Sequence, residues 1–113
     1  MSNLTNRVQL IGNLGQDPVI TNLESGKKMV RFSIATTESY VNKTGEKVND
    51  THWHNIVAWN KTADIIEKFV TKGNKVGIEG KLTSRSWDDK DGTKRYITEV
   101  LCNEVLLLSP KES

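Results

Sequence analysis

Apolar and polar positions alternate with a period of two along most of this chain. β-branched residues recur between Gly, Asp and Asn punctuation, so the sequence reads as mostly strand. Val8, Leu10 and Gly12 alternate with Gln9, Ile11 and Asn13, and the turn at Gly15-Gln16-Asp17-Pro18 leads into a short extended piece over residues 19–23. A first strand, bent there, is the expectation. After Ser25-Gly26-Lys27, the residues Val30, Phe32 and Ile34 take one side of a second strand while Arg31, Ser33 and Ala35 take the other. The polar stretch over residues 41–47 predicts a long, mobile hairpin loop, and residues 51–59 a third strand.

Between Asn60 and Lys72 the period changes. Ile65, Ile66, Phe69 and Val70 form an i, i+3, i+4 stripe with Gly73 as a C-terminal stop, which predicts the single helix. Val76, Ile78, Gly80 and Leu82 then alternate with Lys75, Gly77, Glu79 and Lys81; the apolar set among the former is assigned to the core. Asp91-Gly92 marks a tight turn into a final strand over residues 94–107. Five strands with one helix between the third and fourth is the element order of an OB-fold, an all-β five-stranded Greek-key barrel that often binds oligonucleotides. Fold alone does not establish function.

A chain of 113 residues without linker, low-complexity run or repeat suits one domain over residues 1–108, with residues 109–113 as a short frayed end. No apolar run approaches the ~20 residues of a membrane span, and the start Met-Ser-Asn-Leu-Thr-Asn lacks the pattern of a secretory signal. A cytoplasmic location is expected. Cys102 is the only cysteine, which excludes an intrachain disulfide and paired-cysteine zinc sites, so it reads as a small buried hydrophobe. A net charge of +2 is too small to indicate a polyanionic partner. Charge placement has to decide that.

Alternation puts Trp53, Asn55, Val57 and Trp59 on one face of the third strand. On the fourth, Lys75, Lys81, Arg85 and Trp87 share the parity opposite to the core set. Indoles interleaved with cations are what sequence-independent binding of a single strand requires, because bases stack on aromatic faces while Lys and Arg follow the phosphates. The competing reading makes all three tryptophans core fillers. Parity argues against it, since burying Trp87 would turn Lys81 and Arg85 inward as unpaired cations. Trp59 adjoins the helix and has a stronger claim to help cover it.

His52 and His54 share a face, but no third ligand follows at a metal-site spacing, and a packed or hydrogen-bonded histidine at a subunit contact is the better reading. Asp88, Asp89 and Asp91 lack the later bidentate Glu of a calcium loop and serve the hairpin turn. No nucleophile elbow, phosphate-cradling glycine loop or zinc motif occurs, so neither catalysis nor a cofactor is expected.

Taken together, these residues resemble the bacterial single-stranded DNA-binding proteins of replication and repair. The likeness runs from Asn6 to about Leu108. It includes Asn6-Arg7-Val8, Leu10 to Pro18, Phe32 to Tyr40, His52 to Val57, Lys72 to Val76, Glu79 to Leu82, Arg85-Ser86-Trp87 and Asp91 to Tyr96. The resemblance implies base stacking at Tyr40, Trp53, Trp59 and Trp87, of which Tyr40 is its own addition. It also implies phosphate contacts at Lys61, Lys72, Arg85 and Arg95, which join Lys81 from the alternation. A homotetramer wrapped by DNA is implied too. Many members end in an acidic tail with a terminal Pro-Phe that recruits other enzymes. This sequence shows Ser109-Pro110-Lys111-Glu112-Ser113 instead, which puts recruitment by that route in doubt.

The resulting expectation is a nucleoid-associated protein that coats and protects single-stranded DNA in replication, recombination and repair. A primosome-type protein-docking module and an OB-fold nuclease using a divalent ion are the rivals. RNA is not separable from DNA by residues that only stack.

Overall fold

A computed structural model describes residues 4–109; Pro110 to Ser113 of the expected frayed end lie outside them, as does the start of the chain. A 3-10 turn at Leu4–Asn6 precedes β1 (Val8–Leu14), β2 (Val19–Asn22), β3 (Lys28–Val41), β4 (Lys47–Trp59), α1 (Asn60–Phe69), β5 (Lys75–Asp88) and β6 (Lys94–Leu107). The expected bent first strand is β1 with β2. Both pair antiparallel with β3, β1 through Asn13↔Ala35 and Leu14↔Ile34, β2 from Val19↔Arg31 to Asn22↔Lys28.

The strands follow the order β1-β5-β6-β4-β3-β2, and the β1–β3 pairing closes the first five of them into a barrel. The helix lies between β4 and β5, which are the third and fourth strands of the sequence reading. Closure needs close backbone approach. A side chain at Gly12 would run into the Ala35 carbonyl, and one at Gly80 into the Leu101 carbonyl, so glycine is required where strands cross. At Gly80 the β5–β6 register shifts by one residue.

The core holds the inward residues of each strand: Val30, Phe32 and Ile34, then Ile56 and Ala58, Val76 and Ile78, Val100 and Cys102, with Leu14 from β1. The expected alternation is therefore present on β3, β4 and β5. Leu82 departs from it. It keeps the inward parity but is 50% exposed, because β5 and β6 run past the barrel as a free two-stranded arm where no opposite wall remains.

The helix also differs from expectation. Its buried residues are Ala63 and Ile66, with Val70 buried as its C-cap, whereas Ile65 and Phe69 of the predicted stripe face outward. At about 100° per residue, two adjacent stripes share Ile66 and Val70, and the small Ala63 selects the one that approaches β3 closely. The helix stops at Phe69, before Gly73. Gly73 instead sits in the following turn with φ +88°, its N–H donating to the Leu14 carbonyl at 2.9 Å. Lys28 fastens the helix to the sheet through Asp64 Oδ1 at 2.7 Å and Glu67 Oε1 at 2.6 Å. These contacts raise the Lys28 pKa above its ordinary value, the Asp64 hydrogen bond most, and lower that of Asp64.

The long, mobile loop expected over residues 41–47 is not found. β3 and β4 stay paired to Val41↔Lys47, so β4 begins four residues before the predicted third strand and the connection is short. Asn42 makes this possible. Its Oδ1 accepts the Thr44 N–H at 3.0 Å, the Glu46 N–H at 2.9 Å and the Thr44 hydroxyl at 2.8 Å, and Gly45 takes φ +84°. Two antiparallel arms, β3–β4 and β5–β6, thus project from one barrel.

Candidate nucleic-acid interface

The two arms part at a fork. β4 and β6 pair in parallel through Ile56↔Val100 and Val57↔Leu101, and no farther. Beyond those pairs a groove of about 490 Å³ opens between the arms, lined by Arg31, Ser33, Trp53 and Asn55 on one side and Arg85, Ile97 and Glu99 on the other. The turn Gly15-Gln16-Asp17 closes one end.

Trp53 is 60% exposed, Tyr40 50%, Trp87 44% and Trp59 36%, so none of the four rings fills the core. Trp53 pairs with Ala35 on the outward face of β3–β4. Its six-membered ring lies on Gly15, where an added Cβ would come within 2.6 Å of Cη2 and 2.7 Å of Cζ3. The indole is seated on backbone and keeps its other side open. Trp87 stands farther out on β5, with the Arg85 guanidinium 5.3 Å from its ring centroid in a cation–π contact.

Trp59 shares the Trp53 face but lies six residues along, roughly 20 Å at strand rise, where β4 hands over to α1. Tyr40 pairs with Val48, an odd number of positions from Ala35↔Trp53, so alternation places it on the opposite face of its arm. The structure therefore puts Trp53 in the lining of the groove and Trp87 farther out on β5, against the groove-lining Arg85, and sets Trp59 and Tyr40 apart from it.

Among the expected cations, Arg85 lines the groove and gives its Nε–H to Glu99 Oε1 at 3.0 Å. Arg95, opposite Trp87, gives its Nε–H to Asp89 Oδ2 at 2.8 Å. Lys81 is exposed on the same face of β5 as Arg85. Lys72 is exposed in the turn before β5, and its backbone N–H donates to Asp17 Oδ1 at 2.8 Å, which ties that turn to the end of the groove. Lys61 is exposed in the first turn of α1, beside Trp59. Among the described residues, Lys61, Lys72 and Lys81 form no ion pair, unlike the two arginines.

Asp89 organises the tip of the β5–β6 arm. Its Oδ1 accepts the Asp91 and Thr93 N–H groups at 2.9 and 3.0 Å. The Arg95 hydrogen bond first, and then these two, hold its carboxyl below the ordinary value of 3.8 against the opposing effect of desolvation. His54 Nε2 lies 2.9 Å from the Thr36 hydroxyl, and His52 is exposed. Among the described residues, no three His, Cys, Asp or Glu side chains gather to hold a metal ion.

Sequence reasoning did not single out three further residues. Glu99 is the one charged residue buried among those described, and Arg31 reaches its second oxygen, Nε to Oε2, at 3.8 Å. Tyr96 is 71% exposed on the outer arm, with Lys94 Nζ 6.0 Å from its ring centroid. The alternating pair Lys94 and Tyr96 was a usable signal for the last.

Comparison with known proteins bears on this arrangement. The model of the single-strand binding protein family matches residues 5–108. Single-stranded DNA-binding protein 1 of Chlorobaculum tepidum is 46% identical over 109 residues, spanning 96% of this chain and 67% of the relative. The protein of the same name from Xylella fastidiosa is 44% identical over 108 residues, spanning 95% and 79%. Among solved structures, the Plasmodium falciparum SSB complex with ssDNA superposes with a TM-score of 0.84 at 33% identity, over 92% of this chain and 95% of that one. With the family pattern covering nearly every described residue and the barrel shared, this chain belongs to the single-strand binding protein family.

Proposed function

We propose that this protein binds single-stranded DNA without base preference and protects it during replication, recombination and repair, acting by occupancy alone and without catalysis or a cofactor. The observation that carries this reading is the open groove between the arms, which is lined by Trp53 on a rigid seat and by Arg85, with Trp87 next to that arginine farther out on β5. A flat indole accepts any base because every base has a π-face, while guanidinium and ammonium groups follow a backbone that is the same at every step. The spacing of Trp59 and Tyr40 from the groove extends the path around the barrel, with Lys61, Lys72, Lys81 and Arg95 along it as phosphate contacts. A duplex offers no unstacked base to these rings.

The relatives support DNA as the ligand by their names, and the Plasmodium falciparum structure by its bound strand. Residues 1–108 are taken as the binding domain. A homotetramer suits the outer face of β1, β5 and β6, where Ile11, Leu106 and Leu108 line an open apolar depression of about 650 Å³. No helix among the described residues is long and apolar enough to cross a membrane. A cytoplasmic, nucleoid-associated location follows from the ligand.

The test is a mobility-shift titration with labelled oligo-dT, competed by oligo-dA, oligo-U and duplex DNA, with an arm containing magnesium or manganese. Retention competed by oligo-dA but not by duplex, with the label left uncut, is expected. Equal competition by duplex, or cleavage of the label, would overturn the reading.

A further inference from the structure

Glu99 stands at the fork, immediately before the Val100 that pairs with Ile56, at the point where β6 parts from β4. Its side chain is 7% exposed, whereas the two arginines that reach it, Arg31 and Arg85, are each 44% exposed. Arg31 comes from the β3–β4 side and Arg85 from the β5–β6 arm. Each oxygen of the carboxylate faces one of them, and both arginines approach through Nε. That mode leaves the Nη groups of both guanidiniums for another acceptor, and phosphate oxygens match their fork geometry. Arg85 is in addition held beside the Trp87 ring.

We propose that Glu99 is a positioning residue of the groove: a buried anionic clasp that fixes Arg31 and Arg85 across the fork so that together they receive one backbone phosphate. This rests on the reading of the groove as a single-strand site. As a bare charge Glu99 opposes a polyanion, so its contribution is geometric. Without it each guanidinium on a long flexible side chain must be ordered when the strand arrives, and that entropy is charged against binding.

The electrostatic and geometric accounts give opposite signs for Glu99→Gln, which makes the protein one unit more positive. Titration of the full chain with oligo-dT is expected to show a loss of about tenfold in affinity. The log–log salt dependence should become shallower by about 0.7, the share of the one phosphate no longer held. In an Arg85→Gln background, Glu99→Gln is expected to add much less than it costs alone. Should Glu99→Gln fail to fold by circular dichroism, Glu99→Asp gives the same decision. It keeps the charge but draws the carboxylate back from both guanidiniums, and is expected to lose most of the affinity. Affinity of Glu99→Gln equal to or above that of the unaltered protein, full additivity with Arg85→Gln, or undiminished binding by Glu99→Asp overturns the clasp. Failure of the unaltered protein to bind oligo-dT would sink the functional reading itself, and the clasp with it.

Discussion

Trp53 joins exposure to rigidity: its indole rests on the Gly15 backbone and leaves its outer face for a ligand. Replacing it with Ala is expected to weaken oligo-dT binding by about 1–3 kcal/mol without changing the thermal midpoint appreciably, as one lost stacking platform would. Gly15→Ala forces the same ring off its seat and should weaken binding less than Trp53→Ala does; affinity titrations on the pair check this order. Cys102 gives an independent reading of the core. Burial pushes its thiol up to about 11, so iodoacetamide at pH 8 should leave the native protein unlabelled and label it fully in denaturant. Alternation was enough to separate Trp53 and Trp87 from the core, because Arg85 and Lys81 share the Trp87 parity. Tyr40 was nominated only through family resemblance, since at the far end of a hairpin no wall tells inward from outward. Glu99 was not legible. Its parity says only that it points away from Val100, which on a free strand means solvent, and it meets here Arg85 of the neighbouring β5 and Arg31 of β3, far off in sequence.

At the scale of elements, the strands and their inward residues were readable from the period of two, and the arms were not. The polar run over residues 41–47 looks like a loop by composition, but Asn42 folds it into a short turn, and cross-strand pairing carries both strands past the barrel. The helical stripe failed for a related reason: Ile65 and Phe69 fit the period, and only tertiary contact reveals that Ala63 sets which side is covered. The β5–β6 arm depends in the same way on Asp89, whose carboxylate organises the turn. Its folded pKa lies below the ordinary 3.8, so the contribution is complete above that value and disappears as pH falls through the lower folded value. Asp89→Ala is expected to remove hydrogen-exchange protection from the Asp91 and Thr93 amides at pH 7. The unaltered protein should lose it only in acid, and the barrel amides should be unaffected.

For the whole molecule, a net charge of +2 is modest for a protein that holds a polyanion, so stacking and assembly have to supply much of the affinity. The outer face of β1, β5 and β6, with Ile11, Leu106 and Leu108, is the surface on which copies are expected to associate. Leu106→Glu buries a charge at that contact and should raise the concentration at which the assembly dissociates by at least about a hundredfold, read by sedimentation. The central claim is that indoles on this barrel stack on the bases of a single strand. Tryptophan fluorescence during titration with oligo-dT, at rising salt and with duplex competitor, tests it most directly. Strong quenching that duplex DNA does not reverse, with affinity falling at a log–log slope of about −0.7 per phosphate neutralised, is the predicted result. Binding without any change in emission, or quenching that duplex DNA abolishes, would contradict the account.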